Sequence, residues 1–315
     1  MNKIPCIALV GNAATDKHEL LNATLSEEGL DELYDVILYS ADGQPNAEAL
    51  QDAIDDYRNG SIDGIACLPM PLPVQKIADM AAGKDDTPVA PITIHSTARL
   101  ASVMATEDAG EASTGMRQNH IVEKATMLAR CMKRDLRILN PRIAILSLNK
   151  EISLSETSEE INVMAPAVSE LVKAGIQAFG PIASGTFFDG DGYKSFDAVM
   201  EAYSGQCMEN FLTVSNDAPV TLLAGIDIPI VQAEPETILK AIYLAADIQR
   251  NRIRYDEPLK NPLPKLYHEK KEDGEKARFA IRKKGFNPEE HRREHLPAPA
   301  AAPTTKTEGE TVKEK

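Results

Sequence analysis

Tryptophan is missing from this chain, and aromatics make up only 5% of it, so its core must be aliphatic. Closely spaced cysteine pairs are missing too. Cys6, Cys67, Cys131 and Cys207 form no Cys-x-x-Cys unit, which excludes a zinc knuckle or a thioredoxin-type motif and leaves reduced thiols. There is no basic surplus: 34 Lys and Arg stand against 48 Asp and Glu, a formal net charge of −14. A nucleic-acid interface needs the opposite balance. Long apolar runs are lacking as well. Cys6–Val10 is too short for a secretory core or a membrane span, and no other window reaches membrane length. The expectation is a cytoplasmic protein that binds neither nucleic acid nor membrane.

What is present is an alternation of short apolar runs with helical periodicity. Cys6–Gly11, Tyr34–Tyr39, Gly64–Leu68, Val89–Ile94, Ala101–Ala105, Pro141–Leu146, Ala198–Met200, Val220–Ala224 and Pro229–Gln232 read as strands. Asp16–Leu25, Ala47–Tyr57, Val74–Ala82, Asn119–Leu136, Glu159–Lys173 and Thr237–Arg250 read as helices, with Gly175 ending the fifth. Such alternation implies an α/β fold with a mostly parallel sheet. At 315 residues the chain suits two α/β lobes or one large domain. Composition then shifts. Residues 259–315 carry 14 basic and 10 acidic side chains, against 20 and 38 before them, and from Leu296 the Pro/Ala-rich end is expected to be disordered.

Two segments are more specific. One is Gly180-Pro181-Ile182-Ala183-Ser184-Gly185-Thr186-Phe187-Phe188; the other ends in Tyr203-Ser204-Gly205-Gln206. With Leu148-Asn149, Glu159-Glu160-Ile161 and Pro166 they form an ordered series from about Met104 to Arg250. The series resembles the NAD-dependent 4-hydroxythreonine-4-phosphate dehydrogenases of pyridoxal phosphate biosynthesis, the PdxA-like family. The resemblance implies the two-lobed isocitrate/isopropylmalate dehydrogenase-like fold, with lobe one at 1–95 plus 226–258 and lobe two at 96–225. It also implies a homodimer whose cleft site is completed by the partner subunit, NAD and a divalent metal as cofactors, and a phosphorylated small-molecule ligand.

That family binds its metal through three histidines from three segments, so that the metal polarises the substrate hydroxyl for hydride transfer. Here the Ala-Thr-Thr-His segment reads Ala105-Thr106-Glu107-Asp108, the Tyr-His-Asp-Gln segment has Ser204, and the Asp-His-Gly segment falls near Ala233-Glu234-Pro235. Asp108 and Glu234 are either replacement carboxylate ligands, suited to Mg²⁺ or Mn²⁺, or solvated side chains at former ligand positions; the second is expected. Asn149, Ser204 and Gln206 complete the candidate ligand site. The phosphate-binding Thr-Gly-Pro-x-x-Lys loop has become Cys67-Leu68-Pro69-Met70-Pro71-Leu72, without the lysine. Cys207 and His95 are expected to be a buried inert thiol and a hydrogen-bonded structural histidine. Two functions follow: a dehydrogenase of the family type with lost or altered catalysis, or a non-catalytic pseudoenzyme that binds a ligand or partner.

Overall fold

A computed structural model describes residues 4–11, 34–39, 47–84, 87–106, 116–152, 155, 158–215 and 217–260. The helix expected at Asp16–Leu25 and the tail beyond residue 260 lie outside them. The described strands are β1 (Cys6–Val10), β2 (Asp35–Tyr39), β3 (Gly64–Cys67), β4 (Ala90–His95), β5 (Leu100–Thr106), β6 (Arg142–Leu146), β7 (Gln177–Ile182), β8 (Ala198–Tyr203), β9 (Val220–Ala224) and β10 (Ile230–Ala233). The described helices are α1 (Ala47–Arg58), α2 (Val74–Ala82), α3 (Gln118–Arg134), α4 (Ala165–Lys173), α5 (Met208–Val214) and α6 (Ile238–Lys260).

All ten strands join one sheet, in the order β2-β1-β3-β10-β9-β4-β5-β8-β6-β7. Pairing is parallel throughout β2-β1-β3-β10 and throughout β5-β8-β6-β7. The three central pairings, β10 with β9, β9 with β4 and β4 with β5, are antiparallel. It follows that β1 to β4 and β10 all run one way and β5 to β9 the other. The two sets interlock at the centre, where β9 lies between β10 and β4.

Period-two alternation sends neighbouring side chains to opposite faces of the sheet. Ile7, Leu9, Val103, Ile143, Ile145 and Met200 meet α3, α4 and α6 in the largest core. The opposite face carries two smaller cores. Ala8, Val10, Ile65 and Cys67 pack under α1 and α2. Leu100, Ala144, Leu146 and Val199 pack under α5 and an aromatic cluster of Phe187, Phe188, Tyr193 and Phe211. Each fully buried Leu or Ile contributes about 1.5–3 kcal/mol, so the aliphatic composition suffices without tryptophan.

Four elements differ from expectation. Strand β7 was not expected, because it buries only Ala178 fully and holds Pro181. As an edge strand it tolerates a proline that a central strand would not. Short α5 buries only Phe211 and gives no periodic signal. The helix expected from Glu159 opens with a π-helical turn, Glu160–Met164, before α4. Pro166 has no N–H to donate to the preceding turn, and the Ala165 N–H reaches back five residues to the Glu160 carbonyl. The last helix runs to Lys260 rather than Arg250, so Leu259 and Lys260 of the expected tail are helical.

Candidate functional site

At the C-terminal end of β8 the chain turns through Tyr203–Cys207 into α5. Gly205 sits there at φ 79°, in left-handed space. The turn brings Gln206 back against the sheet. Its Oε1 accepts the Ala202 N–H at 2.7 Å, and its Nε2 donates to the Ser147 carbonyl at 2.7 Å and the Leu148 carbonyl at 3.3 Å. Gln206 therefore ties the end of β8 to the end of β6, with both ends of its amide occupied.

The segment after β6 is held in the same way. The Ser147 hydroxyl donates to the Asn149 carbonyl at 2.5 Å, and the Ser184 hydroxyl donates to the same carbonyl at 2.9 Å. The Ser184 N–H donates to Ser147 Oγ at 3.1 Å. The exposed Asn149 side chain donates through Nδ2 to Oε1 of Glu160 at 2.9 Å. Glu160 is 1% exposed, and its Oε2 is buried with no hydrogen-bond partner among the described residues. Exposed Ser204 occupies the tip of the neighbouring turn. Asn149, Ser204 and Gln206 are thus brought to one end of the sheet.

Glu234 is not brought there. It follows β10, whose C-terminal end lies at the opposite end of the sheet because β10 runs against β5 to β9. It is exposed, and its carbonyl accepts the Thr237 N–H at 2.9 Å. Asp108 lies outside the described residues. Among the described residues no group of three His, Cys, Asp or Glu side chains is placed to hold a metal. The two described residues at the family's ligand positions, the Ser204 hydroxyl and the distant Glu234 carboxylate, do not by themselves form a divalent-metal site within one chain.

The ends of β1 and β3 lie on the same side as Glu234. Leu68 is hydrogen-bonded through its N–H to the Val10 carbonyl and packs over Gly11. A Cβ on residue 11 would stand 2.8 Å from Leu68 Cδ1. Leu68 therefore occupies the space beside Gly11 at the ends of these strands.

A buried polar string crosses the aromatic core. His95 Nε2 lies 3.3 Å from Ser102 Oγ, Ser102 hydrogen-bonds the Glu201 carboxylate, and Glu201 Oε2 accepts the Cys207 N–H at 3.0 Å. Burial holds the His95 imidazolium down at about 4, against the opposing pull of Asp217, and its ring stacks on Phe211 at 3.7 Å. Burial raises the Glu201 carboxyl despite its two hydrogen bonds. Cys207 is 1% exposed, and burial and then Glu201 push its thiol up; burial pushes the Cys67 thiol up to about 12. Cys207 is a buried thiol and His95 is hydrogen-bonded, as the sequence implied. Sequence reading missed Ser147, Ser184, Glu160 and Glu201. A lone Glu inside the apolar run Ala198–Tyr203 was the one available signal for the last.

The sequence profile described as "Pyridoxal phosphate biosynthetic protein PdxA" matches residues 36–235. A 4-hydroxythreonine-4-phosphate dehydrogenase of Bacteroides thetaiotaomicron is 30% identical over 276 residues, covering 75% of this chain and 72% of the relative. A 4-hydroxythreonine-4-phosphate dehydrogenase structure from Burkholderia phymatum superposes with a TM-score of 0.58 at 16% identity, covering 79% of this chain and 99% of that one. One from Klebsiella pneumoniae gives 0.54 at 20% identity, covering 64% and 68%. With the profile spanning more than half of its length and that relative matched over most of both sequences, this chain belongs to the PdxA family.

Proposed function

We propose that this chain is a 4-hydroxythreonine-4-phosphate dehydrogenase-like protein that keeps the family's scaffold and one half of its ligand site, and has lost the metal-dependent hydride transfer to NAD. One observation carries the reading: Asp108, Ser204 and Glu234 stand at the three positions where the family places histidines. A protonated serine hydroxyl is a poor ligand, so at most two anionic donors remain. Exposed Glu234 adds no converging group. The ligand is a phosphorylated small molecule carrying hydroxyl and ammonium groups, of the class named for the relatives. It meets the chain at the ends of β6 and β8, where Asn149 and Ser204 are exposed.

The chain acts as a cytoplasmic homodimer. Ser204 and Glu234 leave opposite ends of the same sheet, so only a second subunit can bring one to the other. The lobe division at residues 95 and 226 follows the change in strand direction, with β9 of lobe two inserted between β10 and β4 of lobe one. A metal analysis of the purified protein tests this reading. Less than about one tenth of an equivalent of Zn²⁺, Mn²⁺, Co²⁺ or Mg²⁺ should remain after desalting, because a site without three converging donors holds a divalent ion weakly. A stoichiometric metal lost in Asp108→Ala or Glu234→Ala would replace the reading with a rebuilt carboxylate site.

A further inference from the structure

Glu160 is an anomaly in this fold. It is 1% exposed and packed within a turn whose neighbour Met164 belongs to the main core. Its carboxylate has one described hydrogen bond, from Asn149 Nδ2, and its Oε2 is buried with no partner among the described residues. Burying a carboxylate with so little compensation costs stability that an apolar side chain of similar size would not. The backbone is also special here. Glu160 opens the π-helical turn Glu160–Met164, which re-aims the side chains that follow, and π turns concentrate at functional sites.

The chemistry of the pair fixes a direction. A carboxylate oxygen only accepts hydrogen bonds, so the Asn149 amide must present its NH₂ to Glu160 and turn its carbonyl oxygen away. Asn149 is exposed, and no described group bonds its Oδ1. Its backbone carbonyl is held by Ser147 and Ser184, and the preceding carbonyls by Gln206. The result is one exposed side-chain acceptor on a segment whose carbonyls from Ser147 to Asn149 are all held.

We infer that Glu160 is a positioning residue that locks the Asn149 amide with Oδ1 facing the site, so that Asn149 accepts a hydrogen bond from a hydroxyl or ammonium group of the ligand. The ligand half of this statement rests on the function proposed above; the orientation half does not.

Two measurements on the full chain separate the halves. The first is NMR of the Asn149 side-chain NH₂ in the ligand-free protein. Its two protons should be resolved, with one protected from exchange, and that protection should vanish in Glu160→Leu and persist in Glu160→Gln, whose carbonyl can still accept. An unchanged Asn149 signal in Glu160→Leu would overturn the positioning role. The second is calorimetry with 4-phosphooxy-L-threonine. Glu160→Leu and Asn149→Leu should each weaken binding about tenfold, the scale of one hydrogen bond, and the double variant should be no weaker than Asn149→Leu alone. Glu160→Gln should bind within about threefold of the wild type. Additive losses in the double variant would overturn the coupling. No binding by the wild type would remove the ligand half together with the proposed function, and the NMR result would then decide the orientation by itself. Thermal melting of Glu160→Leu confirms that it folds; Glu160→Met is the replacement if it does not.

Discussion

The two ends of the sheet have diverged in different ways. At the end where β6 and β8 finish, side chains of Gln206, Ser147, Ser184, Asn149 and Glu160 tie the loops together. At the end where β1, β3 and β10 finish, Leu68 packs over Gly11, and Glu234 is an exposed residue before a 3₁₀ turn. The first end has Ser204 where the family places a histidine, set in a hydrogen-bonded framework. The second holds a different polar cluster, in which Asp217 accepts hydrogen bonds from Thr97, Ser215 and Lys240. Selection on binding at one end, without selection on hydride transfer across both, would leave this pattern.

The largest test of that contrast is at Gly225, at the tied end just after β9. Its φ is 101°, and a Cβ there would lie 2.2 Å from the Pro88 carbonyl oxygen. Backbone on backbone cannot yield as a side chain can, so Gly225→Ala should lose more than about 3 kcal/mol of unfolding free energy in denaturant melts.

The next test is at the other end, where His95 closes β4. Its imidazole is neutral in the fold and titrates at about 4 because burial opposes the charge. The unfolded chain takes up a proton near 6.5 that the folded chain refuses. This contribution to stability is therefore complete above about pH 6.5 and is lost as the pH falls through about 4. Its full size is on the order of 3 kcal/mol. His95→Gln should flatten the stability profile between those values; an unchanged slope would show that His95 is charged in the fold.

A smaller effect is expected from Gln206→Leu, which leaves the Ala202 N–H and the Ser147 carbonyl without their partner. A loss of about 2 kcal/mol should appear in melts, with weaker binding of the phosphorylated ligand. Preserved stability would mean that water replaces the amide and that the tied end is less constrained than its hydrogen bonds imply.

Much of the fold was legible because β1, β3 and β6 after Arg142 are continuous apolar runs buried on both faces, and α1 to α3 repeat apolar residues at helical spacing. The reversal of β5 to β9 was not, since a strand's residue pattern does not encode its direction. Edge strand β7 hid behind Gly180-Pro181. Asn149 and Gln206 were legible through their motifs. That Gln206 is occupied by backbone was not, because this depends on how the turn at Gly205 folds back on β6. Glu160 read as one charge of a helix, and its burial follows from a π turn that no periodicity announces. The separation of Ser204 from Glu234 came only with the sheet order.

The central claim is that hydride transfer has been lost from a preserved scaffold. Its most direct test is NADH formation by the purified protein with 4-phosphooxy-L-threonine and added Mg²⁺, Mn²⁺, Zn²⁺ or Co²⁺. Losing metal stabilisation of the developing alkoxide removes several kcal/mol, and each 1.36 kcal/mol is about tenfold in rate. Turnover should therefore fall below about 0.1 per second at every substrate concentration. Turnover above that value, abolished by Asp108→Ala or Glu234→Ala, would contradict the account and identify a working metal site built from carboxylates.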